Sequence, residues 1–137
     1  MAGLGSERAA LLDSARRLLR GRVAVAWVYG SFWGAHFGPE SDVDIAVAGL
    51  EGDRFELAAD LSAALEREVD VIEIDHSDPI IGFQVLARGL RILDDCGLGD
   101  RIEGDVLAMY LDWKVTRRPI ELSHAHRAIS LPTEPLS

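Results

Sequence analysis

The residue types and spacings that can do chemistry in this chain are a Gly-Ser pair at Gly30-Ser31, an Asp-Val-Asp at Asp42-Val43-Asp44, and a third carboxylate at Asp70 in the run Val69-Asp70-Val71-Ile72. A glycine after an apolar strand lets the backbone approach a phosphate, and the serine hydroxyl can hydrogen-bond a phosphate oxygen. Carboxylates at i and i+2 of a strand point to one face. Mg²⁺ seeks oxygen ligands and keeps several positions for water and phosphate oxygens, so such a pair can clamp it. A third carboxylate from another strand completes the clamp. This equipment suits the magnesium-dependent transfer of a nucleotidyl group.

Each signal also has a plainer reading. Ser41-Asp42 can be a turn, with Asp44 a solvated strand residue. Gly30-Ser31 can be a strand-to-loop corner, and Asp70 a strand residue at a sheet edge. Glu73 and Asp75 read as solvated. Phe32-Trp33 offers either a surface for stacking a base or local packing. The His124-Ala125-His126 alternation reads as a solvated tail rather than a metal pair. Together, two like carboxylates on one face repel each other, and a core has no use for them without a cation between them.

Apolar periodicity supplies the elements that must position these residues. Leu11, Leu12, Ala15, Leu18 and Leu19 predict a helix over 6–20, with Ser6 as cap and Gly21 as stop. Val23–Tyr29 reads as a buried strand and Val43–Val47 as a second, separated by the turn Gly38-Pro39-Glu40-Ser41. Asp53–Arg67 predicts a helix capped by Asp53, and Val69–Ile74 a third strand with Asp70, Ile72 and Ile74 on one face. Ser77 or Asp78 caps a helix with Pro79 in its first turn, Gly89 ends it, and Leu90–Leu93 is a short fourth strand. A last helix spans about 102–118, with Val106, Met109, Tyr110, Trp113 and Val115 as its apolar members and Pro119 ending or kinking it. Met109 and Trp113 are expected in the core. The expected architecture is α/β of the α+β kind: a small mixed sheet of about four strands with helices mainly on one face. One domain over 1–129 with a core at 22–94 is expected, and a disordered tail over 130–137.

Composition narrows the function classes. The chain has 137 residues, 48% of them hydrophobic, with 14 Lys+Arg against 23 Asp+Glu and a formal charge of −9. Such a field disfavours binding to duplex nucleic acid and suits a cation or a basic protein. The single cysteine, Cys96, excludes an internal disulfide and fits a reducing cytosol. No apolar run is long enough to span a bilayer, and the N-terminus lacks the apolar stretch of a signal peptide. A cytoplasmic protein with no membrane contact is expected.

The stretch GSFWGAHFGPESDVDIAV resembles the nucleotidyltransferase superfamily that includes DNA polymerase β: Gly-Ser, a gap, then Ser-Asp-x-Asp followed by apolar residues. The small size, VDVIEI, a helix ending in Arg88-Gly89, and Tyr110-x-Asp112 resemble its minimal nucleotidyltransferase (MNT) family, which includes MntA-type antitoxins of HEPN/MNT toxin–antitoxin pairs. The resemblance spans roughly Val23 to Arg118. It implies a polymerase β-like fold, with Asp42, Asp44 and Asp70 as catalytic residues and ligands of Mg²⁺ (or Mn²⁺). It places Gly30, Ser31 and Ser41 at the nucleotide. It further implies ATP as substrate and AMP transfer to a hydroxyl, above all a tyrosine of a partner HEPN ribonuclease toxin. The alternatives are an antitoxin that only masks its toxin, and a small-molecule nucleotidyltransferase. One departure stands out: Gly34 and Ala35 occupy positions where the family often carries Arg-Gly, so the loop lacks its own arginine.

Overall fold

A four-stranded sheet, ordered β3-β2-β1-β4, forms the centre of the computed structural model, which describes residues 2–123 and the side chains of residues 5–116. The elements are α1 (Ala2–Leu19), β1 (Val25–Tyr29), β2 (Val43–Ala48), α2 (Arg54–Leu65), β3 (Val69–Glu73), α3 (Pro79–Arg88), β4 (Leu90–Asp94) and α4 (Gly99–Ser123). β1 pairs antiparallel with both β2 and β4. β2 and β3 run parallel, joined by α2 as the crossover that a parallel pair needs. The expected tail over 130–137, the His124/His126 pair, Ile129 and Leu131 lie outside the described residues.

β1 is central and covered on both sides, which is why its sequence is continuously apolar rather than alternating. Ala26 and Val28 face one layer with Ile45, Val47, Val69 and Val71, sealed by Ala15 and Leu19 of α1 and Leu57, Leu61 and Leu65 of α2. Val25 and Trp27 face the other with Ala46 and Ala48, under Val85 of α3 and Val106 of α4. The mixed four-stranded sheet and the α+β class are as expected, but the helices divide between both faces rather than gathering mainly on one. The second layer escaped the pattern because its strand residues include small alanines, and its cover comes from α3 and α4 at the far end of the sequence.

The caps follow the expected chemistry. The Asp53 carboxylate accepts from Glu56 N at 3.2 Å, and Asp78 accepts from Ile81 N at 3.0 Å, with Pro79 opening α3. α1 begins at Ala2, so Ser6 lies inside it; it stops before Gly21, whose φ of +83° suits glycine. α4 is longer than expected at both ends and continues past Pro119. Its inward seam is Ile102, Val106 and Tyr110, with Tyr110 stacked on Phe83 at 4.2 Å, whereas Trp113, expected in the core, is only partly buried. Met109, expected in the core, is 54% exposed, and Val115 is exposed as well. The apolar stripe of α4 is wider than the seam that α3 and the sheet can cover.

Candidate active site

The parallel β2–β3 pairing places Asp44 directly beside Asp70, and the β1–β2 pairing places Tyr29 directly beside Asp44. The row Tyr29–Asp44–Asp70 therefore crosses three strands on one face of the sheet. Asp42 precedes β2 by one residue and lies two residues along from Asp44, at the same sheet end. Topology thus gathers the three carboxylates singled out by their spacing. They come to the surface where the apolar rows of the sheet end: Asp42 and Asp70 are exposed, and Asp44 is partly buried.

Gly30 completes this corner. Its φ of +75° favours glycine, and a Cβ built on it would lie 2.6 Å from Asp44 Oδ2. A side chain there would displace the carboxylate. Ser31 follows, exposed, in a 3₁₀ turn over Gly30–Trp33. Ser41 serves the turn before Asp42: its hydroxyl accepts from Gly38 N at 2.9 Å, and its own N–H donates to Gly38 O at 3.1 Å. The Ser41 O–H proton is not used in that bond. The aromatic pair packs locally. Phe32 is buried, with Trp33 and Phe37 edge-on to it at 4.7 and 4.8 Å, and Trp33 Nε1 donates to Val28 O.

The electrostatics of the corner call for a cation. Burial holds the Asp44 carboxyl above its usual range, and the Asp70 and Asp42 carboxylates push it further the same way. Tyr29 is pushed up to about 12 by burial and then by Asp44 and Asp70, so its phenol keeps its proton and remains a donor. The ion pairs of Arg16, Arg22, Arg67 and Arg91 engage carboxylates elsewhere: Asp13, Asp60, Glu7, and Asp94, Asp100 and Glu103. An oxygen-rich set of mutually repelling carboxylates fits a hard divalent cation. Tyr29 is the member the sequence reading missed. Its signal was a lone phenol ending an apolar strand directly before the Gly-Ser pair, but its neighbours are set by strand register.

Residues 16–95 match the Polymerase beta, Nucleotidyltransferase family. The chain belongs to that family. No curated protein matches the sequence of this nucleotidyltransferase closely enough to count as a relative. Solved structures do match its fold. A toxin–antitoxin crystal structure with AMP-PNP has a TM-score of 0.71 at 24% identity, covering 82% of this chain and 96% of that one. The MNT antitoxin complex with a tri-AMPylated HEPN toxin of Shewanella oneidensis gives 0.69 at 23%, covering 85% and 97%. A variant of an MntA toxin–antitoxin pair gives 0.65 at 25%, covering 78% and 91%.

A second set of potential ligands lies at the other end of β3. Glu73, Asp75 and His76 bring ligand atoms within 4.8 Å of one another, and they are not the aspartates singled out above. Asp75 Oδ2 there accepts from Gly49 N at 3.0 Å, which ties this set to the exit of β2. Among the described residues, no helix is long and apolar enough to cross a membrane.

Proposed function

We propose that this nucleotidyltransferase moves AMP from ATP to a hydroxyl of a partner protein, in a magnesium-dependent reaction, and that the acceptor is a tyrosine of a HEPN ribonuclease toxin. The observation that carries the reading is the set of three carboxylates, Asp42, Asp44 and Asp70, held at one sheet end beside Gly30, where Asp70 and Asp42 both push the Asp44 carboxyl up. Asp42, Asp44 and Asp70 would hold the metal. When bound, it supplies Lewis-acid stabilisation and orientation of the triphosphate.

The chain's own residues have separable tasks in this reading. Gly30 leaves room for the phosphates and the Asp44 carboxylate in the same corner. The hydroxyls of Ser31 and Ser41 can donate to phosphate oxygens. Asp70, exposed at the edge of the row, is placed to take the acceptor's proton. In the transfer, the acceptor oxygen bonds to the α-phosphorus and the bond from that phosphorus to its bridging oxygen breaks. Pyrophosphate leaves with the bonding pair, and the hydroxyl proton passes to the carboxylate.

The HEPN partner is supported by the toxin–antitoxin complexes among the structural neighbours, one of them with a tri-AMPylated toxin. The charge of −9 suits a basic, RNA-binding partner. The test is to incubate the purified protein with α-labelled ATP, Mg²⁺ and the product of the neighbouring gene, beside an Asp42→Ala/Asp44→Ala variant. Label on the partner only with intact carboxylates is the expected result. A stable complex with both proteins and no label would overturn the enzymatic reading in favour of an antitoxin that acts by binding.

A further inference from the structure

Asp42 sits between two backbone anchors that lead to one place. On one side, Ser41 O accepts from Arg67 Nη1 at 3.0 Å. On the other, Val43 N donates to Glu68 O at 3.0 Å. The two residues that follow the left-handed Glu66 at the end of α2 therefore pin the backbone immediately before and after this aspartate.

The Arg67 side chain does more than touch Ser41. The same Nη1 donates to Gly38 O at 3.0 Å, Nη2 pairs with Glu7 at 2.9 Å, and the guanidinium lies 4.9 Å from the Phe37 ring centre. Arg8 supports the same loop from α1, donating to Phe32 O at 2.9 Å and Gly34 O at 2.6 Å. The loop from Gly30 to Ser41 carries no arginine of its own; two arginines from α1 and the end of α2 hold it by its carbonyls.

This arrangement is a poor source of stability. The Arg67 side chain is only 7% exposed, its Nε is buried without a hydrogen-bond partner, and its ion partner Glu7 is itself 38% exposed. Burying a charge whose donors are incompletely satisfied commonly costs as much as it returns. What it does supply is geometry: one guanidinium nitrogen, Nη1, bridges the two ends of the Gly38–Ser41 turn, while Nη2 ties the group to Glu7 on α1.

We propose that Arg67 is a positioning residue for the aspartate site, fixing the Gly38–Ser41 turn so that Asp42 is held at the sheet end with Asp44 and Asp70, and thereby setting the site's affinity for a divalent cation. This rests on the reading of the aspartates as cation ligands. The probe is Mn²⁺ alone, its binding followed by electron paramagnetic resonance well below each variant's unfolding midpoint. Amide exchange is measured in the metal-free protein alongside. Arg67→Met keeps the stem and removes the donors. It is expected to weaken Mn²⁺ binding by about 10- to 100-fold, the range for residues that orient metal ligands. It should also speed exchange across residues 38–43, and Arg67→Lys should recover part of the affinity. A folded Arg67→Met protein that binds Mn²⁺ as tightly as the parent would overturn the proposal and leave Arg67 a packing residue. Should Arg67→Met fail to fold, Arg67→Lys decides: weakened binding at an unchanged midpoint supports the proposal, and unchanged binding overturns it. Asp42→Asn separates the two levels, because Mn²⁺ binding indifferent to that change would refute the aspartate reading itself and the proposal with it.

Discussion

Asp44 carries the strain of the site. Burial and two like charges hold its carboxyl above the usual range in the folded chain, whereas the unfolded chain titrates it in that range. Between the two values the folded state binds more protons, so stability falls as pH rises through this window, and the penalty persists above it. Asp44→Asn removes the penalty. In EDTA at neutral pH the variant is expected to melt above the parent in thermal unfolding, and the gain should shrink as pH falls toward the ordinary aspartate range. The same variant should lose nucleotidyl transfer by about 10²–10³-fold, the scale for removing one preorganised electrostatic group. A rise in the midpoint together with a fall in activity would mark Asp44 as a group kept for function. The three aspartates were legible in the sequence because i, i+2 spacing and isolation among apolar residues are local properties. Tyr29 and Arg67 were not, because one acquires its neighbours through strand register and the other through a turn far away in the chain.

At the level of elements, the corner between β1 and β2 depends on one backbone conformation. Gly30 combines a φ of +75° with a site for Cβ that Asp44 Oδ2 already fills. Gly30→Ala is expected to destabilise the fold by about 1–3 kcal/mol, the cost of a strained backbone position. Chemical denaturation measures this. The same substitution should weaken ATP-analogue binding, because the alanine methyl and the Asp44 carboxylate cannot both keep their places. The helix caps at Asp53 and Asp78 and the apolar β1 were readable because their signals sit inside the elements themselves. The reach of α4 and the exposure of Met109 were not. Periodicity reports an apolar stripe, and only the packing against α3 and the sheet decides how much of that stripe is covered.

For the whole molecule, the parallel β2–β3 step through α2 brings Asp70 beside Asp44, while the two apolar layers leave that sheet end open. Family membership accords with this construction, and the proposed chemistry follows from what stands at the open end. A charge of −9 adds attraction for a basic partner, which ionic strength will screen. The most direct test of the account follows both ends of ATP at once. ATP labelled on either the α- or the γ-phosphate is incubated with Mg²⁺, this protein and the HEPN partner, with and without Asp42→Asn/Asp44→Asn. The expected result is α-label on a partner tyrosine and γ-label in released pyrophosphate, with both lost in the double variant. Label from the γ-phosphate on the partner, or α-label transfer that survives without the two carboxylates, would contradict it.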